Sequence, residues 1–233
     1  MPLLLKLPIT LPQGEAGQTV SVEQLSVPEK VQETLRKAYE AWERKDIAQS
    51  RTLAIRALQL KPYYGPALTL LGILELSEGH PADAIIGLEQ AVRYNPNSPR
   101  MYLALASAYN ELHRNADALN ALSLLSKLTP QSWQLHYENG RAYLGFGRYQ
   151  AALDEFALAQ KFSSQDLTVL HIGKAHAQIA LRNYAAARAE LETVLRKSPN
   201  GPDAAEAHKL SLALDSHAEK ASVPANAAAH TPQ

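Results

Sequence analysis

The chain of 233 residues contains no cysteine, which removes disulfides, thiolate zinc sites, a cysteine nucleophile and a lipid-carrying cysteine together. The redox compartment is left undetermined by the same absence. There is no surplus of charge either: lysine plus arginine and aspartate plus glutamate stand at 23 each, so bulk electrostatics favour neither nucleic acid nor an anionic membrane as a partner. No apolar run reaches about 18 residues, so no membrane insertion is expected. At the amino terminus Leu3-Leu4-Leu5 is interrupted by Lys6 and Pro8, well short of the roughly 7–15-residue core of a secretory signal.

Catalytic and metal-binding patterns are missing as well. The eight histidines, His80, His113, His136, His171, His176, His208, His217 and His230, form no HExxH and no i, i+4 pair beside a carboxylate. His171 and His176 are five apart and fall on different helix faces. A glycine-rich phosphate loop, a GxSxG elbow and a GxGxxG turn are all lacking, because the glycines are scattered. Acidic pairs such as Asp154-Glu155 and Glu190/Glu192 are expected on a solvated outer face. The reading is therefore of a non-enzyme with no cofactor and no metal.

What the chain does have is a period. From Gly65 to Pro96 the sequence reads as two short helices around a break at Ser77-Glu78-Gly79-His80-Pro81, with Leu68, Leu71 and Gly72 on one and Ala84, Leu88 and Ala91 on the other. Spacings of three, four and seven put each set on one helix face. A step of 34 carries Gly72 to Ala106 and Gly140 and back to Ala38, and a final step of 35 reaches Ala175. The matching positions of the second helices are Ser50, Ala84, Ala118, Ala152 and Ala187, followed by Ala54, Leu88, Leu122, Phe156 and Leu191. Each pair ends at Pro62, Pro96, Pro130, Ser164 or Pro199, where proline stops a helix and pre-sets the turn. The joint at Ser163-Ser164-Gln165-Asp166 carries the extra residue and is expected to be the least regular.

Around this array the sequence predicts an extended arm over 1–27, with Val20 and Val22 in a short strand-like stretch and Ser26 to Glu29 as a capping box that starts the first helix near residue 27. Five pairs follow at about 28–62, 63–96, 97–130, 131–165 and 166–200. Gly201-Pro202 opens one further helix, roughly Asp203 to His217, whose Ala207, Leu210 and Leu214 form a narrow apolar stripe. Solenoids need such a polar-backed cap, placed here at 201–218. Residues 219–233 lack periodic apolar positions and are expected to be disordered.

A 34-residue helix-turn-helix period resembles the tetratricopeptide repeat family. The match is best in repeat two, through Leu71, Gly72, Gly79, Ala84, Ala91 and Pro96, and in repeat four, through Gly140, Tyr143, Gly147, Tyr149, Ala152, Phe156 and Ala159. Repeat one departs from the pattern at Lys37 and Ala54, and repeat five at Lys174 and Gln178. The resemblance implies an all-α fold, a right-handed α-solenoid of about five repeats closed by a C-terminal helix, in which the first helices line a concave groove that holds peptides. The segment VSVEQLSVP ahead of repeat one resembles leaders of bacterial exported repeat proteins. The expectation is a soluble chain, cytoplasmic by default, with an extracytoplasmic location left open.

Projected onto the sequence, the groove takes Leu35, Tyr39 and Trp42, then Thr69, Ile73 and Leu76, then Leu103, Ser107 and Asn110. Repeat four adds Tyr137, Arg141 and Leu144, and repeat five Ile172, His176 and Ile179. Tyr39, Trp42, Tyr137 and Arg141 are the stronger candidates, since their residue types dominate binding hot spots. The aliphatic members have a plainer role as packing between repeats, and Tyr63-Tyr64 reads as a packing anchor in a loop. Chaperone-binding relatives grip a carboxylate with lysines and asparagines; Leu35, Tyr39, Leu70, Arg100 and Ala104 stand there, with one basic residue among them. Two functions follow as expectations: a scaffold binding a peptide or helix of another protein, or an accessory subunit of a secretion, assembly or enzyme complex whose arm occupies the groove until displaced.

Overall fold

The computed structural model describes residues 27–222. The expected arm up to residue 26, including Ser26 of the capping box, and the tail beyond residue 222 lie outside the described residues. Among the described residues there are eleven helices and no strand: α1 Glu29–Glu43, α2 Ile47–Leu60, α3 Gly65–Ser77, α4 Pro81–Tyr94, α5 Pro99–Glu111, α6 Asn115–Leu128, α7 Trp133–Gly145, α8 Tyr149–Phe162, α9 Thr168–Ala180, α10 Tyr184–Lys197 and α11 Ala204–Ser222. Two compact units result, one ending at Gln131 and one beginning at Ser132.

The first unit stacks three helical hairpins, α1/α2, α3/α4 and α5/α6. Helix α1 begins at Glu29, two residues after the expected start, and the residue before it is Pro28, whose ring supplies no side-chain cap. Each hairpin closes where small residues meet: Ala38, Ala84, Ala106 and Ala118 are fully buried, as is Ser50. At Gly72 the fit is tighter still, for a Cβ there would lie 2.5 Å from the Leu88 side chain. Arg51 of α2 ties the first hairpin to the second by pairing with Glu75 and Glu78.

The second unit contains the hairpins α7/α8 and α9/α10 and the final helix α11. Phe156, wholly buried, holds its first hairpin together and reaches the next one. A Cβ at Gly140 would come within 2.5 Å of its ring, and one at Gly173 within 2.6 Å. Gly173 was not among the small residues read from the period, because it serves the neighbouring hairpin and not its own. The extra residue does fall in the α8–α9 joint, where Ser163 accepts from the amide of Gln165 at 3.2 Å. Ala207 and Leu214 of α11 join Ala175, Ala187, Leu191 and Val194 in one core, with Leu210, Ile172 and Ile179 packed on it. Thr168 donates to Asp203 at 2.5 Å, tying the start of α9 to the residue just ahead of α11. Helix α11 runs to Ser222, so the expected disordered tail loses its first four residues, 219–222, to this helix.

Every hairpin turns through the same backbone device. The residue two after the first helix has positive φ in all five, namely Lys45, Gly79, His113, Gly147 and Arg182. Its amide and the next one reach back to carbonyls of the last helical turn, as in Gly79 to Leu76 at 3.1 Å and His80 to Glu75 at 2.9 Å. This is a Schellman closure, and it satisfies carbonyls that the helix end would otherwise leave orphaned. Glycine adopts that conformation without a Cβ penalty; lysine, histidine and arginine do so under strain.

Two sets of stability measurements follow. Gly140→Ala and Gly173→Ala are each expected to lower the unfolding free energy by about 1–3 kcal/mol through overpacking, and Phe156→Leu to recover part of either loss in the double variant, as denaturant unfolding would register. Gly79→Ala, where a Cβ meets nothing within 4 Å, isolates the backbone strain and should cost about 1 kcal/mol. Lys45→Gly and His113→Gly, at exposed turns, should raise the midpoint instead.

Candidate functional site

In the first unit the first helices α1, α3 and α5 present the residues expected to line a groove. Residues spaced four and three apart, such as Tyr39 after Leu35 and Trp42 after Tyr39, share one side of a helix. The helices meet along that side: the Tyr39 hydroxyl donates to the Pro66 carbonyl at 3.5 Å, and the Arg100 guanidinium lies 5.1 Å from the Tyr39 ring centroid. Burial pushes the Tyr39 phenol up, and the guanidinium opposes that. Arg100 occupies a position where chaperone-binding relatives place a carboxylate-gripping side chain, yet it spends its face on an aromatic ring.

All nine expected residues of this unit are buried, Leu76 completely: Leu35, Tyr39, Trp42, Thr69, Ile73, Leu76, Leu103, Ser107 and Asn110. The Thr69 hydroxyl is turned inward and donates to the Gly65 carbonyl of its own helix at 2.9 Å. The indole Nε1 of Trp42 is buried with no hydrogen-bond partner among the described residues. A buried donor left without an acceptor costs about 1–3 kcal/mol.

The cause of the burial lies in α3 and α5. Helix α3, GPALTLLGILELS, is apolar nearly all round, and in α5 every residue from Met101 to Asn110 is buried. Helices of that kind belong inside a protein and not at a solvated wall. Tyr63, by contrast, is exposed and stacks on Tyr94 at 4.8 Å, while Tyr64 immediately precedes α3.

In the second unit, Tyr137 is buried and packs against Phe156 with ring centroids 5.9 Å apart. Arg141 is half-buried and commits its charge to the buried Glu138 at 3.0 Å. The His176 side chain is 42% exposed and lies 3.6 Å from Glu206; burial lowers its pKa and Glu206 opposes the shift. Leu144 is half-buried, as are Ile172 and Ile179.

Two carboxylates expected on a solvated face turn out to be engaged. Glu155 pairs with His136 Nδ1 at 2.7 Å, and Glu190 pairs with His171 Nδ1; the two pairs are 35 residues apart and link first to second helix in successive hairpins. Asp166 takes the other nitrogen of His171 at 2.6 Å. Sequence patterns for catalysis do not describe such a pair, since its members sit 19 residues apart on different helices. Glu75, Glu78 and His80 bring three ligand atoms within 4.8 Å of one another, but Arg51 already bridges the two carboxylates.

One tyrosine beside the groove has a distinct titration. The Tyr109 hydroxyl donates to Glu89 at 2.8 Å, and Arg114 lies 4.7 Å from its ring. Burial first, then the carboxylate, pushes its pKa up to about 12. With a folded pKa above the ordinary value of about 10, its stabilising contribution is full below pH 10 and lost as pH rises through about 12. Tyr109→Phe is expected to remove a late-ionising tyrosine from an ultraviolet titration and to shallow the alkaline loss of stability.

Comparisons with known proteins agree with this architecture. Residues 75–136 and 172–211 each match a family model described as tetratricopeptide repeat. No curated protein sequence matches the chain. Among solved structures, a thermophilic tetratricopeptide protein of Thermus thermophilus is 22% identical with a TM-score of 0.64, covering 81% of this chain and 99% of that one. PilF of Pseudomonas aeruginosa is 17% identical with a TM-score of 0.65, over 83% of this chain and 86% of its own. The Cut9–Hcn1 hetero-tetramer of the APC/C contains a chain 21% identical with a TM-score of 0.72, covering 81% of this chain and 37% of that one. At such identities these likenesses speak for the fold. With the 34-residue period, the five identical turns and the matched models, the chain is a tetratricopeptide repeat protein.

Proposed function

We propose that the protein is a non-catalytic interaction scaffold, and that the inner side of α1, α3 and α5 in its first unit receives an extended, apolar segment of a partner protein. The observation that carries this reading is the grouping of apolar first-helix residues with a buried indole donor: α3 is apolar nearly all round, α5 is buried from Met101 to Asn110, and Trp42 Nε1 has no acceptor among the described residues. An extended backbone has carbonyls to spare, and its side chains match an apolar wall. The residues proposed to meet it are Tyr39, Trp42, Thr69, Ile73, Leu103, Ser107 and Asn110; Tyr137, Arg141 and His176 form a separate candidate surface on the second unit.

A second reading makes the chain an accessory subunit of a larger assembly. One of the structurally similar chains belongs to the APC/C hetero-tetramer Cut9–Hcn1. The two readings share a surface and differ in how permanently it is filled.

Affinity capture with the full chain, followed by titration of the captured segment, tests the surface. Trp42→Phe deletes the donor and is expected to weaken binding about three- to tenfold, the scale of one hydrogen bond, measured at a temperature where the melting curve shows the variant fully folded. Ile55→Ser and Ile86→Ser, at exposed positions of α2 and α4, should leave affinity unchanged. Loss of binding in the isoleucine variants with none in Trp42→Phe would move the interaction to the second helices and refute the proposal.

A further inference from the structure

The outer edge of the first unit, where the second helices α2, α4 and α6 end, keeps an apolar stripe in solvent. Leu60, Tyr94 and Leu128 stand at one position of three successive hairpins, 34 residues apart, and with Leu124 each leaves 37–42% of its surface exposed. Tyr63, ahead of α3, is 60% exposed and stacks on Tyr94 at 4.8 Å, so the end of the first hairpin meets the end of the second. Among the described residues it is also the one non-glycine residue outside the hairpin turns with positive φ, at 61°. A side chain that costs backbone strain and stays in solvent is a poor packing anchor. What it does is hold two tyrosine rings together at the surface, and tyrosine is a residue type that binding hot spots favour. Apolar residues exposed singly need no explanation, but a stripe repeated in register does.

Charge at this edge is of one sign, although the whole chain is balanced. The stretches 54–66, 88–99 and 122–131 hold Arg56, Lys61, Arg93 and Lys127 against a single acid, Glu89, whose carboxylate accepts from the Tyr109 hydroxyl. Lys61 lies over the Tyr64 ring at 5.7 Å. Arg56, Arg93 and Lys127 are exposed and have no ion pair among the described residues, whereas Arg36, Lys37, Arg51 and Arg114 of the same unit are all paired. The helix dipole accounts for a cation in a last turn, which covers Arg93 and Lys127 but not Arg56. Arg56 stands one turn before Leu60, on the same side of α2.

Unpaired cations beside exposed leucines and stacked tyrosines suit a surface that brings carboxylates and apolar groups together. Anionic lipid recruits clusters of about four to eight lysines or arginines, more than these three. A protein carboxylate, by contrast, matches the fork of an arginine directly. We propose that this edge docks an acidic segment of a partner protein, its carboxylates pairing with Arg56, Arg93 and Lys127 and its apolar side chains covering Leu60, the Tyr63–Tyr94 stack and Leu128. The surface is separate from the inner side of α1, α3 and α5 and does not depend on it.

The test titrates the full chain with a synthetic peptide of three Glu-Glu-Leu-Phe repeats and with a counterpart in which lysine replaces every glutamate. The acidic peptide is expected to bind with a Kd below about 0.1 mM, to weaken as salt rises, and to bind at least about tenfold more tightly than the lysine peptide. The double variants Arg93→Glu/Lys127→Glu and Leu60→Ser/Leu128→Ser change only exposed side chains and should melt as the parent does. Each is expected to lose at least about tenfold in affinity, and Trp42→Phe to lose none. No binding of the acidic peptide, equal binding of the two peptides, or full affinity in either double variant would overturn the proposal. A loss in Trp42→Phe would overturn it by moving the peptide to the inner side. Sedimentation with phosphatidylserine vesicles by a chain that ignores the acidic peptide would overturn it in favour of a lipid contact.

Discussion

The close approach of two helices at small side chains is what the rest of this structure depends on. An alanine or glycine on each side lets the backbones of a hairpin come near enough for a single large residue to fill the seam, and that residue then reaches the next hairpin. Phe156 makes the point, since its ring lies where a Cβ on Gly140 or on Gly173 would stand. No hairpin of this size buries enough apolar surface to fold alone, so stability accumulates through such shared contacts. The consequence is intolerance: a methyl group added at these seams has nowhere to go.

The turns impose a second constraint, and it is backbone rather than side chain. Five closures with positive φ reverse the chain in the same way, and three of them do it without glycine. Lys45, His113 and Arg182 accept that strain because the hydrogen bonds back into the helix over-determine the geometry. Repetition of one turn keeps first helices on one side and second helices on the other within each unit, and so places the apolar sides of α1, α3 and α5 together.

Function is read from that placement. The proposed scaffold role leans on α3, the most apolar helix of the chain, and on an indole donor buried nearby in α1. The charged and hydroxyl groups nearby are spoken for: Arg100 by the Tyr39 ring, Thr69 by its own helix, and Arg141 in the second unit by Glu138. The histidine–glutamate pairs of α7/α8 and α9/α10 join the two helices of each hairpin through partners 19 residues apart in sequence.

By itself the sequence determined the period, the order of helices, the positions of the close contacts and the turns between hairpins. These depend on neighbours within about one repeat, where spacing, proline and residue size act directly. The seam at Gly173, the engagement of Glu155 and Glu190, and the burial of nearly every residue assigned to the groove were decided only by tertiary structure. Each arises from contact between helices, within a hairpin or from one hairpin to the next, or around the whole circumference of a helix, and a one-dimensional pattern shows which side a residue shares but not what stands opposite it.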